Sequence, residues 1–201
     1  MELDEVVRIR RMVRTFDPDR AVPVAVIDQA LEAATRAPSA GFSQGWDFVV
    51  LTATPDRDAF WDSATPPEAR ETPDRWLRGV SAAPCLIVCC SDPDRYRHRY
   101  AEPDKAGADK SAVAPNVHPW PIPYWDVDTG MAAVLMLLTG VDAGLGGLFF
   151  GVPGARHQQV AAALGIPEDR RLVGVVGLGY PLPDVRSPSL NRGRRPLADV
   201  A

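Results

Sequence analysis

Arginine residues gather near both ends of this 201-residue chain and are its clearest candidates for chemistry. Arg10, Arg11 and Arg14 lie at the end of the first predicted helix. The tail contributes a second cluster, formed by Arg186, Arg192, Arg194 and Arg195. Guanidinium groups donate paired, charge-assisted hydrogen bonds to phosphates, so each cluster could bind a small anion. Solvated arginines at a helix end or in an exposed tail are the alternative, and charge alone leaves both open.

Two segments rich in small residues could bring the backbone close to a ligand. Residues 37–46 read Ala-Pro-Ser-Ala-Gly-Phe-Ser-Gln-Gly-Trp, so their backbone and the Ser39 hydroxyl could meet a bound molecule. A plain helix-to-strand connection would use the same residue types. Residues 144–151 read Gly-Leu-Gly-Gly-Leu-Phe-Phe-Gly, which indicates a backbone that passes close to a flat group or to another chain. A capped helix followed by tight packing is the alternative there.

The motifs of hydrolases, phosphate-binding loops and zinc proteases do not occur in the sequence. Phe149 stands where a dinucleotide-binding fingerprint needs its third glycine. His98, His118 and His157 lie far apart, which favours surface or hydrogen-bonded histidines over metal ligands or a catalytic base. We therefore expect neither a metal site nor a catalytic dyad.

The three cysteines, Cys85, Cys89 and Cys90, fall in one apolar run that we predict to be a strand. Neighbouring side chains of a strand point to opposite faces, so these thiols cannot readily converge on a metal. We expect buried, inert thiols in a reducing compartment.

The charge balance is mildly acidic, with 22 Lys and Arg against 26 Asp and Glu. A general nucleic-acid binder would show a basic excess or a basic stripe. Glu2, Asp4 and Glu5 at the start are unlike a signal peptide, and the most apolar stretch, 130–141, is too short to span a bilayer. We expect a cytoplasmic protein that binds neither nucleic acid nor membrane.

Apolar periodicity predicts five helices and three strands. The helices are expected near residues 3–7, 27–34, 55–64, 127–144 and 155–164, and the strands at 46–53, 85–91 and 172–180. Residues 92–123 lose their periodicity, which predicts a long loop that serves as a lid or binding element, or is partly disordered. The helix from Val127 is apolar all round, so we expect it to be buried on most sides. The pattern indicates one α+β domain over residues 1–201, with an apolar sheet covered by helices.

Four motifs in this order resemble the nitroreductase family. They are Arg-Arg-x-Val-Arg-x-Phe near the start, Ala-Pro-Ser-Ala-Gly-x-x-Gln-x-Trp, Gly-Leu-Gly-Gly after a long apolar helix, and the tail segments Leu-Gly-Tyr-Pro and Arg-Gly-Arg-Arg-Pro-Leu. The resemblance spans nearly the whole chain and is weak over residues 64–123. It implies a central, mostly antiparallel sheet flanked by helices, in an intertwined homodimer with two FMN sites at the subunit interface.

The resemblance also implies which residues contact the cofactor. They are Arg10, Arg11, Met12, Arg14, Pro38, Ser39, Ala40, Phe42, Phe150, Gly151, Arg192 and Arg194. Arg10 would lie near the pyrimidine edge and ribityl chain, with Arg11 at the same wall. The phosphate would be bound by Arg14 and Arg194, with Arg192 close by.

Two further segments complete the site that the resemblance implies. Residues 38–40 would approach the flavin from the other subunit, and the backbone around Phe150 and Gly151 would face the ring near N5. The helix from Val127 would form the dimer core.

The activity implied by the resemblance is hydride transfer from NAD(P)H through flavin N5 to a small planar acceptor, such as a nitroaromatic or a quinone. The cofactor supplies this chemistry in two half-reactions, so no side chain is expected to act as acid, base or nucleophile. Aromatic residues of the 92–123 loop and just beyond it are our candidates for an acceptor pocket: Tyr96, Tyr100, His118, Trp120, Tyr124 and Trp125.

Met12, Phe42 and Gly45 depart from the family pattern, which often has serine, asparagine and proline at these positions. The resemblance implies that loss of the serine hydroxyl and the asparagine amide removes polar contacts to the flavin, which bears on its affinity or on substrate choice. Three other functions stay open at this point. They are a flavin-binding or sequestering protein with little turnover, a specialised flavin-dependent dehalogenase or desaturase, and an anion-binding or interaction domain without flavin.

Overall fold

A four-stranded antiparallel sheet lies at the centre of the part of the chain that the computed structural model describes, residues 1–105, 120–183, 185 and 187–201. The strands are β1 (Trp46–Leu51), β2 (Cys85–Ser91), β3 (Gly146–Phe150) and β4 (Arg171–Gly179), in the order β1-β2-β4-β3. Each neighbouring pair is antiparallel. The predicted α+β class with an antiparallel sheet is thereby confirmed.

Eight α-helices surround this sheet within the described residues. They are α1 (Leu3–Ile9), α2 (Val24–Thr35), α3 (Thr54–Ala64), α4 (Pro67–Glu71), α5 (Arg75–Ser81), α6 (Pro93–Ala101), α7 (Tyr124–Asp142) and α8 (His157–Leu164). Short 3-10 turns occur at Ala40–Phe42, Gly154–Arg156, Pro188–Arg192 and Leu197–Asp199. In the described residues, no helix has both the length and the apolarity that crossing a membrane requires.

Two hydrophobic layers cover the two faces of the sheet, because side chains alternate along each strand. Leu86 and Val88 of β2 pack in a layer with α3, α5 and α8. Ile87, from the opposite face of the same strand, packs with α2 and α7. The sheet therefore has helices on both sides.

Three elements differ from the sequence prediction. Residues 67–81, for which we predicted no structure, contain α4 and α5, and the predicted 92–123 loop begins with α6. Both α5 and α6 have an aspartate N-cap: Asp74 accepts from the Leu77 amide, and Asp92 accepts from the amides of Asp94 and Arg95. The third element is β3, which forms from the glycine-rich run at residues 144–151, where we predicted no strand. Residues 106–119 of the predicted loop, including His118, lie outside the described residues, as does Arg186.

In the single chain, most of α7 is buried or half-buried, as predicted, and four of its nineteen residues are exposed. Val127 is 43% exposed and Val134 is 49% exposed, although Met136 and Ala132 of the same helix are fully buried. This helix therefore buries one face against the sheet and leaves apolar side chains on another.

The prediction of buried thiols is confirmed. Cys85, Cys89 and Cys90 are free and buried, with Cys85 and Cys89 in one layer and Cys90 in the other. Among the described residues, no group of side chains is placed to bind a metal ion. Burial raises the pKa of each thiol from 9.0 to about 12.

The raised thiol pKa values predict how stability depends on pH. The unfolded thiols ionise near their usual pKa, whereas the native thiols do not, so the stabilisation is complete below pH 9.0 and is lost as pH rises towards about 12. We expect the free energy of unfolding, measured in urea, to fall progressively above pH 9.0. We also expect the thiols of the native protein to resist a thiol reagent at neutral pH. Urea-denatured protein is the positive control for the reagent. Rapid labelling of the native protein would contradict the prediction.

Candidate functional site

A cavity of about 760 Å³ lies between the segment that follows α1 and the tail of the chain. Its lining includes four arginines, Arg10, Arg11, Arg14 and Arg194, together with Met12, Val185, Ser187, Ser189, Leu190 and Gly193. The structure therefore brings together arginines from the two ends of the chain. Arg192, also predicted to bind the phosphate, is not among the lining residues.

The arginine segment is extended, which corrects its predicted place at the end of the first helix. Helix α1 ends at Ile9, and Met12 then forms a parallel bridge to Gly147 at the edge of β3. The Val13 amide donates to the Gly147 carbonyl at 2.9 Å. Because side chains alternate along an extended segment, Met12 and Arg14 line the cavity while Val13 between them is buried in the core.

The positive charge of this cavity is not neutralised within the described part of the chain. No acidic side chain there forms an ion pair with any of the four arginines. Arg14 makes one weak contact, from its Nη1 to the Met12 carbonyl oxygen at 3.3 Å. Guanidinium groups without a carboxylate partner are available to an anionic ligand.

A second, apolar cavity of about 330 Å³ contains two other predicted residues, Phe150 and Gly151. Trp61 and Trp76 line it as well, and the Phe150 ring stacks on Trp61 with 5.4 Å between centroids and 6° between planes. A Cβ added to Gly151 would meet no atom within 4 Å, so the backbone here has an open face.

Helix α5 adjoins both cavities. Its Trp76 and Leu77 line the apolar cavity. A Cβ on Gly79 would lie only 2.1 Å from the Arg14 carbonyl oxygen, so α5 packs directly on the backbone that carries the arginines. The two cavities therefore share one supporting element.

The remaining predicted residues, Pro38, Ser39, Ala40 and Phe42, form a turn that lines neither cavity. The turn is strained, because Phe42 has φ of 57° and Gln44 has φ of 51°. Left-handed conformations cost about 1–3 kcal/mol in residues other than glycine. The Ser39 hydroxyl accepts a hydrogen bond from the Gln44 amide at 2.7 Å. Although the turn is strained, Phe42 is 74% exposed, so its side chain packs little against the rest of the chain.

The aromatic residues that we predicted to form an acceptor pocket pack on one another instead. Tyr96 and Tyr100 of α6 make edge-on contacts with Trp120, which also contacts Tyr124 and Trp125. Tyr96 is fully buried. Among the described residues, these rings attach α6 to the start of α7.

Sequence reasoning missed Asp128, whose side chain binds this turn. Its Oδ2 accepts from the Ala40 amide at 2.8 Å. One signal was available in the sequence: Asp128 precedes Ala132 and Met136 at intervals of four, on the face of α7 that is buried. An acidic residue on a buried helix face requires polar partners from elsewhere in the fold.

Comparison with known proteins agrees with this architecture. A sequence model described as the Nitroreductase family matches residues 7–180. The chain belongs to the nitroreductase family. A family relative from Archaeoglobus fulgidus, provisionally named an NADH dehydrogenase/NAD(P)H nitroreductase, is 30% identical over 179 residues, covering 88% of this chain and 84% of the relative.

Solved nitroreductase structures share the fold. A provisionally named nitroreductase from Desulfovibrio desulfuricans, in complex with FMN, has a TM-score of 0.72 at 21% identity and covers 100% of this chain and 95% of its own. A nitroreductase from Bacteroides fragilis with bound FMN has a TM-score of 0.68 at 19% identity, with 98% of each chain covered. The family match ends at residue 180, so it does not include Arg194.

The strained turn predicts an inverted order of stability for two substitutions at Phe42. Glycine usually destabilises a chain relative to alanine, because it has more backbone freedom in the unfolded state. At φ of 57° we expect Phe42→Gly to be more stable than Phe42→Ala by about 1 kcal/mol, since alanine keeps the strain of the Cβ. Urea unfolding at equal protein concentration measures both. An alanine variant as stable as the glycine variant would show that the turn is not strained.

Proposed function

We propose that this chain is an FMN-dependent oxidoreductase that uses NAD(P)H to reduce a small planar acceptor, such as a nitroaromatic or a quinone. Membership of the nitroreductase family supports the reaction class. Two family structures with FMN support the cofactor. The observation from this chain that carries the proposal is the cavity lined by four arginines, which have no acidic partner among the described residues.

The cavity fits the phosphate end of FMN in charge and in size. Arg14 and Arg194 present guanidinium groups that can bind a phosphate through paired hydrogen bonds, with Ser187 and Ser189 as further donors. Small-molecule sites commonly enclose about 300–1,000 Å³, and this cavity encloses about 760 Å³. Arg192 extends from the adjacent 3-10 turn and adds positive charge nearby.

The flavin ring would extend from this cavity towards Phe150 and Gly151. The open face of Gly151 lets a flat group approach the backbone closely, and α5 connects the two regions. Arg10, Arg11 and Met12 would form the wall beside the pyrimidine edge and ribityl chain. We propose on this basis that residues 1–201 form one FMN-binding domain.

The reaction would require little from the side chains of this chain beyond binding and electrostatics. Bound FMN would supply the redox chemistry of hydride transfer through its N5 between NAD(P)H and an acceptor. Arg10 would stabilise the negative charge of the reduced ring and so favour reduction. The three buried thiols are protonated at neutral pH and have no role as nucleophiles.

We also propose a homodimer in which α7 forms the core of the interface. Val127 and Val134 of α7 are exposed in the single chain, as are Leu3 and Val7 of α1. Exposed apolar side chains grouped on neighbouring helices mark interaction surfaces. In this arrangement, the turn at residues 38–42 of one subunit would lie against the FMN bound by the arginines of the other.

The visible spectrum of the purified protein tests the cofactor and the reaction together. We expect the protein to take up FMN, and NAD(P)H to bleach the flavin absorption until an acceptor restores it. Uptake of FMN without NAD(P)H oxidation would instead support a flavin-binding protein with little turnover. Bleaching that only a halogenated acceptor reverses would support a reductive dehalogenase, and bleaching by a saturated substrate in the absence of NAD(P)H would support a desaturase. A colourless protein that does not take up FMN would contradict the proposal.

Replacing the phosphate arginines tests the binding mode. We expect Arg14→Gln and Arg194→Gln each to weaken FMN binding about 10- to 100-fold, because each removes a charge-assisted contact of about 1.5–3 kcal/mol. Riboflavin, which has no phosphate, should bind these variants about as well as it binds the wild type. Flavin fluorescence quenching measures both affinities.

The matched control is Arg195→Gln, since Arg195 is an exposed tail residue that donates to the Asp199 carbonyl and does not line the cavity. It should leave FMN affinity unchanged. Equal losses of FMN and riboflavin affinity in the Arg14 and Arg194 variants would contradict phosphate binding at these positions.

A further inference from the structure

Asp128 is a buried carboxylate that connects the long helix α7 to the strained turn. It is 2% exposed, and its Oδ2 accepts two hydrogen bonds, from the Tyr96 hydroxyl at 2.7 Å and from the Ala40 amide at 2.8 Å. No lysine or arginine of the described chain forms an ion pair with it. A buried carboxylate without a cation is costly unless donors satisfy it, so these two contacts are requirements of the fold.

Packing holds Tyr96, the side-chain donor to Asp128, in place. Tyr96 is fully buried between α6 and α7, and burial, together with its contact to Asp128, raises its pKa above the usual value. The phenol therefore stays protonated and donates to Asp128. Gly45 packs against the same ring, because a Cβ there would lie 2.4 Å from Tyr96 Cε2. Glycine therefore fits at this position, whereas the proline that the family often has there would place its Cβ against the ring.

Other contacts hold the far end of the turn. Arg99 of α6 donates from Nε to the Gly41 carbonyl at 2.8 Å, and a Cβ on Gly41 would lie 2.7 Å from the Tyr100 ring. Ser43 donates from its hydroxyl to the Ala40 carbonyl at 2.7 Å. Strained backbone persists only where surrounding contacts over-determine it, and here those contacts come from α6 and α7. Asp128 is the member of this set that lies on α7.

We infer that Asp128 is a positioning residue of the cofactor site, which it serves by fixing the turn at residues 38–42 relative to α7. The inference rests on the proposed function, in which this turn lies against the FMN of the other subunit. Because α7 is also the proposed core of the interface, one hydrogen bond to the Ala40 amide would join dimer packing to cofactor contact. Asp128 itself touches neither cavity, so it acts through the turn.

Two measurements on Asp128→Ala test this inference, one of which needs no FMN. Loss of the carboxylate leaves the Ala40 amide without a partner, so we expect faster hydrogen exchange in the 39–44 peptide of the apoprotein. We also expect FMN affinity to fall about tenfold, since the turn must be ordered again on binding. Asp128→Asn should keep the exchange rate of this peptide and the FMN affinity near their wild-type values, because the amide oxygen can accept the same two hydrogen bonds.

The matched control is Thr129→Ala. Thr129 is the next residue of α7 and is also fully buried, but its hydroxyl donates to the Trp125 carbonyl within the same helix at 2.7 Å. We expect this variant to lose stability without faster exchange at residues 39–44 and without loss of FMN affinity. If Asp128→Ala does not fold, Tyr96→Phe replaces it and should raise the same exchange rate, because it removes one of the two donors that fix the carboxylate.

The outcomes separate this inference from the proposed function. A wild-type protein that does not take up FMN contradicts the proposed function, whatever the exchange rates are. FMN binding by the wild type that is equally tight in Asp128→Ala contradicts the positioning role. Exchange at residues 39–44 that rises equally in Asp128→Ala and Thr129→Ala also contradicts it, because the effect would then be a general loss of stability.

Discussion

The architecture of the arginine cavity depends on the close approach of Val13 to the edge of β3. The extended segment after α1 pairs with Gly147, and a Cβ on Gly146 would lie 2.8 Å from a methyl carbon of Val13. Only glycine at that position lets the two backbones come within hydrogen-bonding distance. With Val13 buried against β3, Arg10, Arg11 and Arg14 line the cavity. A local packing constraint thus determines where the charge lies.

The tail reaches the same cavity because β4 ends beside this segment. Phe16 forms an antiparallel bridge to Pro181, and the Leu182 amide donates to the Thr15 carbonyl at 3.0 Å. The Asp17 amide donates to the Tyr180 carbonyl at 2.9 Å. These backbone contacts hold the start of the tail next to the arginine segment, so residues about 180 positions apart line one cavity. Sequence separation is therefore no measure of distance at this site.

Features that a local sequence pattern encodes could be predicted from the sequence alone. The runs that became β1, β2 and β4 are apolar and lie between turn residues. Of the two arginine clusters, the structure brings Arg10, Arg11 and Arg14 together with Arg194 in one cavity. Strand β3 was missed because glycine usually weakens a strand, and here the missing side chains are replaced by Val13 and Leu137, which pack from other elements. Helix α6 is short and polar, so its Asp92 N-cap was the only strong local signal. The contact of Asp128 with Ala40 joins residues 88 positions apart, which no local pattern encodes.

The predicted site residues separate into three groups in one chain, and each group depends on different packing. The arginines depend on the edge of β3, Phe150 and Gly151 on the apolar layer beside α5, and the turn on α6 and α7. The first two groups adjoin through α5, whereas the turn lines neither cavity. The proposed dimer would account for this separation, since a turn that is strained and presents an exposed phenylalanine gains little within its own chain. Its rigidity would instead serve a surface that another subunit completes, because a pre-ordered turn loses less conformational freedom when a ligand binds.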